Sequence, residues 1–172
     1  MRLIVAALAL FAVLLLVAAA NDIATLTIPN WVSVVLAAAF PVFSVAAGHS
    51  LAFIGYHMAI GFIVLVLGIG LFSLNLLGGG DVKVIAAASV WTGLSGFAVF
   101  LSATLLAGGI LAIAIVLIRH FAKPREDRPA FLNRLLDPKR GAPYAVAIAA
   151  GGLMALPSLP FAPHALAALT SL

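Results

Sequence analysis

Cysteine is absent from this 172-residue chain, and charge nearly so: nine Lys or Arg and five Asp or Glu make up 8% of it. Without cysteine there is no disulfide framework, thiolate metal site or cysteine nucleophile. A soluble globular domain has roughly a quarter of its residues charged and about half apolar. Here 65% are hydrophobic and the mean hydropathy is +1.28. That balance excludes a soluble domain, a disordered chain and a nucleic-acid-binding protein. A pI near 10.1 does not argue otherwise, because the positive charge is concentrated in one stretch, 119–140, rather than spread over a polar surface. What the chain does have is long apolar runs of about 15 to 25 residues, too long for barrel strands and without a period of two. They specify an all-α fold, a polytopic membrane helix bundle forming a single transmembrane domain over 1–172.

A span needs roughly 20 apolar residues to cross a hydrocarbon core of about 30 Å. The runs predict six, at about 3–20, 28–47, 51–74, 82–95, 97–118 and 144–162. The fourth and fifth are separated only by the small, turn-prone stretch Thr92-Gly93-Leu94-Ser95-Gly96. Unbroken, 82–118 would make a helix about 55 Å long, far beyond one bilayer. Pro157, Pro160 and Pro163 crowd the end of the sixth, which is expected to bend or lie partly in the interface. The 119–143 loop holds Arg119, Lys123, Arg125, Arg128, Arg134, Lys139 and Arg140 against Glu126, Asp127 and Asp137. Loop charge sets orientation, so this loop is expected on the cytoplasmic side, with the 75–81 and 21–30 loops beside it and the N-terminus outside. Arg2 alone argues the other way. Met1-Arg2, the first apolar run and Ala18-Ala19-Ala20 also read as a signal peptide. That run exceeds the usual apolar core of about 7–15 residues, which favours a retained span.

The acids divide. Glu126, Asp127 and Asp137 read as solvated charges of the basic loop, whereas Asp22 and Asp81 each sit at the end of an apolar span on the predicted cytoplasmic side. A charge in the bilayer costs roughly 2.5–3.5 kcal/mol on insertion scales, so an ionisable residue there is a functional candidate. The plainer alternative is that both lie among headgroups and only mark span ends. Asp81 follows Gly78-Gly79-Gly80 and opens a span of about 14 residues, about 21 Å of helix. So short a span reaches both faces only if its starting loop dips inward, where irregular backbone is tolerated in a packed or wet setting. The helix dipole favours an anion at Asp81, at a helix start, and disfavours one at Asp22, at a helix end. Brought together, the pair would share a proton and titrate as a unit, Asp81 ionised and Asp22 protonated. Water-mediated amide hydrolysis needs such a pair: one carboxylate deprotonates the water, and the other polarises the carbonyl and protonates the leaving nitrogen. No cofactor and no metal is expected, since a two-His, two-Asp site would have to bring His49 and His57 across from the predicted outer side.

Gly78-Gly79-Gly80-Asp81-Val82-Lys83 resembles the G-x-G-D-x-K motif around the second aspartate of the type IV prepilin peptidase family, the membrane aspartyl proteases with a GxGD signature. Asp22-Ile23-Ala24-Thr25-Leu26-Thr27-Ile28-Pro29-Asn30, an aspartate six residues before Ile-Pro-Asn, resembles the first-aspartate region. The similarity covers roughly 1–118 in organisation and the rest only as a sixth span. It implies that Asp22 and Asp81 are the catalytic pair, with Gly78 and Gly80 as supporting residues. It also implies that the substrate is a prepilin-like protein whose short basic leader is cut on the cytoplasmic face of the bacterial membrane. Long members of the family carry a cysteine-bearing cytoplasmic domain and methylate the new N-terminus. This chain has neither feature and looks like the short form found with tight-adherence (Flp-type) pili, without methyltransferase activity. An archaeal-type leader peptidase of similar size is the other form it resembles.

Around the pair, Thr25, one turn on from Asp22, and Asn30 are candidate hydrogen-bond partners of Asp22. Alternatively, Asn30 and Pro29 fix the start of the second span. Lys83 is a candidate electrostatic partner of Asp81, or a cation snorkelling to the headgroups. His120 and His164 carry no signal. The basic loop reads as a topology anchor and anionic-lipid contact of the surrounding bilayer, and would repel a cationic leader. Two other functions stay open: a proton-coupled transporter or channel using Asp22 and Asp81 as carriers, and a non-catalytic membrane subunit of a pilus or secretion machine. A bare midplane in the first, fourth and fifth spans argues against the former, and the latter leaves the triple glycine without a reason. The oligomeric state is not legible.

Overall fold

The computed structural model describes residues 2–123, 127, 129–138 and 140–162. Six helices follow one another: α1 (Arg2–Thr25), α2 (Asn30–Ala46), α3 (Leu51–Ser73), α4 (Gly79–Phe121), α5 (Ala130–Leu136) and α6 (Ala145–Ala155), with a 3-10 turn at Leu156–Ser158. Among the described residues there is no strand. By length and composition α1, α3 and α4 suffice to cross a membrane; α2 and the α6 segment are shorter apolar helices. The fold is therefore all-α and multi-pass.

α4 is one continuous helical assignment but two limbs. Gly93 interrupts it with φ 57° and ψ −171°, a conformation open essentially to glycine alone. A straight helix would put Leu105 about 36 Å from Asp81, yet both line one cavity. The helix therefore folds back at Gly93, inside the expected break, and its limbs correspond to the fourth and fifth expected spans.

Several boundaries differ from the expectation. α1 does not stop at Ala20 but continues to Thr25, because its polar residues satisfy their own helix: Asn21 Nδ2 donates to the Val17 carbonyl at 2.9 Å and Thr25 Oγ1 to the Asn21 carbonyl at 2.8 Å. Leu26, at φ 54°, then ends the helix. The sixth segment is α-helical only to Ala155, where Pro157 tightens the chain into the 3-10 turn. The basic loop contains a helix, α5, that was not expected. Arg125, Glu126, Arg128, Lys139, Pro163 and His164 lie outside the described residues.

Apolar burial gives little drive between helices in lipid, so association depends on close van der Waals packing and interhelical hydrogen bonds. Both are present. Gly61 and Gly68 of α3 lie directly on Val90 and Val82 of the first α4 limb, while Gly151 and Gly152 of α6 lie on Thr104 and Leu15. Trp91, fully buried, donates from Nε1 to the Leu36 carbonyl at 2.7 Å and sits among Phe11, Phe40 and Phe161. The first α4 limb thus lies inside the bundle, and α6 closes it against α1 and the second limb.

Candidate active site

Asp22 belongs to the last turn and a half of α1 and is buried, 6% exposed. Its Oδ2 accepts a hydrogen bond of 3.0 Å from the backbone N–H of Ala145, the first residue of α6. Asp81 is in the first turn of α4, half-buried, with its carboxylate close against Gly78. A Cβ on Gly78 would lie 2.6 Å from Asp81 Oδ2, so only glycine there leaves the carboxylate in place. The two carboxyl groups are within electrostatic reach of each other and line the same cavity, of about 1100 Å³. Its walls are apolar, with Ile63, Leu67 and Phe72 from α3, Val82 and Ile85 from the first α4 limb, and Phe97 and Leu101 from the second.

The two aspartate segments also touch directly. Ile28 packs on Gly80, where a Cβ would come within 3.3 Å of it, and Lys83 Nζ donates to Asn30 Oδ1 at 2.9 Å. Three expectations change here. The bond of Lys83 goes to Asn30 rather than to Asp81. Asn30 thereby ties its own segment to α4 instead of serving Asp22. Thr25 turns to the Asn21 carbonyl and to Thr27 Oγ1, 2.7 Å away, rather than to Asp22.

The electrostatic contrast expected between the acids is also corrected. Asp22 does sit near the C-terminal end of α1, but its carboxylate faces the N-terminus of α6, where free amides and the helix dipole favour an anion. Both acids therefore face a helix start, and the dipole argument for Asp81 ionised and Asp22 protonated falls away. What the site retains is two carboxyls in a largely apolar pocket, an arrangement suited to one shared proton.

Sequence reading missed three contributors. Tyr144 lines the cavity beside both acids. Arg134 Nη1 donates to the Ala24 carbonyl at 2.6 Å, closing the end of α1 just past Asp22. Arg119 donates to the carbonyls of Leu135, Arg140 and Gly141, fixing the segment that leads into α6. Pro143 before an apolar run signals a helix start, but its partner, Asp22, is 123 residues away. His57 stays remote from the acids: it stacks on Phe40 and its Nδ1 is 2.7 Å from the Val90 carbonyl, beside the Gly93 reversal. Among the described residues no three His, Asp or Glu side chains gather as a metal site.

Residues 9–113, more than half of the chain, match the family model described as the type IV leader peptidase family. No curated protein and no solved structure matches.

Proposed function

Because the chain belongs to the type IV leader peptidase family, we propose that it is a membrane-embedded aspartyl endopeptidase that removes the basic leader of prepilin-like proteins, with Asp22 and Asp81 as its catalytic pair. The observation that carries this reading is that the two acids, 59 positions apart, face one cavity between apolar helices. In the proposed reaction the ionised carboxylate takes a proton from water as the water oxygen attacks the scissile carbonyl carbon. The protonated partner hydrogen-bonds the carbonyl oxygen, and on collapse of the tetrahedral intermediate its proton passes to the leaving nitrogen. Gly78 keeps Asp81 free to approach, the Ala145 amide orients Asp22, and the Lys83–Asn30 and Ile28–Gly80 contacts hold the segments in register.

We place the site on the cytoplasmic face of the bacterial membrane. Arg134 and Arg119 bind backbone next to Asp22 and next to the start of α6, so the basic segment and the acids share one end of the bundle, and basic loops stay cytoplasmic. The lack of cysteine supports a peptidase without methyltransferase activity, as in the short form of tight-adherence (Flp-type) pilus systems. The test is co-expression with a prepilin bearing a basic leader. Asp22→Asn and Asp81→Asn should each lower processing by at least about 10³-fold, the upper part of the range for acid–base groups, while the protein still inserts. A reporter fused after Arg140 should read as cytoplasmic. Normal processing by either variant removes the dyad.

A further inference from the structure

We propose that Tyr144 is a third catalytic residue, its phenol O–H donating to the scissile carbonyl oxygen as that oxygen gains charge. This inference rests on the peptidase reading. Attack of water on an amide needs more than a base and an acid: hydrogen-bond donors preset toward the developing oxyanion contribute a large share of rate enhancement in acyl-transfer sites. The cavity offers few. Asn75, Thr104 and Tyr144 are its neutral polar side chains, and the Thr104 hydroxyl oxygen is sealed from the space and without a partner. Asn75 belongs to the turn after α3, at φ 58°.

Tyr144 alone is tied to both acids. Its phenol lies within electrostatic reach of Asp81. Its neighbour in the chain, Ala145, gives its N–H to Asp22. The residue is also held from two sides. Its carbonyl accepts from the Ala147 and Ile148 amides as the first turn of α6. Its ring and hydroxyl lie so close to Gly108 of the second α4 limb that a Cβ there would be 2.5 Å from both Cε2 and Oη. A phenol ordinarily loses its proton only near pH 10, so at neutral pH it serves as a donor. It keeps its proton throughout; the proton of the attacking water goes to the ionised carboxylate and that of the leaving nitrogen comes from the other carboxyl.

The experiment uses the purified full chain and a prepilin with a basic leader, reading kcat and KM separately. Tyr144→Phe keeps the ring on Gly108 and removes one oxygen. The expected result is a fall in kcat of about 10²-fold, the order seen when one oxyanion donor is lost, with KM little changed. Gly108→Ala, which pushes on the ring and with it the hydroxyl, should lower kcat in the parent chain but add little in a Tyr144→Phe background, where no hydroxyl is left to displace. A packing role would instead give equal losses from Gly108→Ala in both backgrounds, and that result overturns the proposal. So does a Tyr144→Phe kcat within twofold of the parent. Asp22→Asn in the same assay separates the two levels: if it is inactive while Tyr144→Phe is normal, only this inference falls, and if it cleaves normally, the peptidase reading falls with it.

Discussion

The two limbs of α4 are built from similar apolar residues, but only the first is enclosed. From Val84 to Thr92 the helix is surrounded: Val84, Ala88, Ser89, Trp91 and Thr92 have no exposed surface. Beyond Gly93 the inward stripe narrows to Gly96, Phe100, Ala103, Thr104, Gly108 and Ile115, while Leu105, Leu106, Ile110 and Ile113 are each more than half exposed. An apolar side chain is equally at ease against lipid or against another helix, so hydropathy does not separate the limbs. Small residues and polar partners do. Ala86-Ala87-Ala88-Ser89 lets neighbours approach from every side, and the limb they surround is the one that carries Asp81. Enclosure matters for the acid because a carboxylate misplaced by about 1 Å loses roughly 10²-fold in rate.

The widest test of that contrast compares two glycines. Gly78→Ala brings a Cβ to 2.6 Å from Asp81 Oδ2, whereas a Cβ on Gly109, in the second limb, meets nothing within 4 Å. Leader cleavage should drop about 10²-fold for the first and stay within twofold for the second, with both proteins equally abundant in the membrane. Equal activity of the two variants would mean that Gly78 does not set the carboxylate's position.

The next effect falls on the junction between the limbs. Gly93→Ala asks a side chain to adopt φ 57°, ψ −171° and to overlap the His57 ring. Strain in that region costs about 1–3 kcal/mol. His57 then has to move from the Val90 carbonyl, for about a further 1 kcal/mol. The expected outcome is a clear fall in the thermal unfolding midpoint in detergent micelles. Gly109→Ala, in a helix interior where alanine is the better former, should not lower it. An unchanged midpoint for Gly93→Ala would show that the reversal tolerates another backbone path.

The break between the limbs was legible because Thr92-Gly93-Leu94-Ser95-Gly96 is the only interruption in a run too long for one bilayer. Asp22 and Asp81 were legible through scarcity, and the cavity brings them together. What surrounds them was not. Asn21 and Thr25 mark the end of an apolar run yet continue the helix by bonding carbonyls four residues back; composition sees only their polarity. The amide that holds Asp22 comes from Ala145, and a backbone group carries no side-chain signature. Arg119 and Arg134, read as charges for lipid and topology, spend their donors on protein carbonyls. Local pattern located the acids, while long-range pairing decided their environment.

The smallest expected effect lies on Lys83, the one basic residue of the enclosed limb. Lys83 is exposed, on the flank toward the start of α2, and its ammonium reaches Asn30 Oδ1 at 2.9 Å. An exposed polar contact of this kind contributes about 0.2–1 kcal/mol, so Lys83→Met should reduce cleavage only about two- to fivefold. Asn30→Ala should do the same, and the double variant should be no worse than either single one, because one contact is lost in all three. Loss as deep as that of Asp81→Asn would instead place the ammonium on the carboxylate during turnover, and the difference between the limb's exposed flank and its buried faces would no longer separate register from chemistry. A two- to fivefold loss shared by both partners keeps that division: Asp81 on the side facing the cavity does the chemistry, and Lys83 on the side facing α2 holds the two aspartate segments in register.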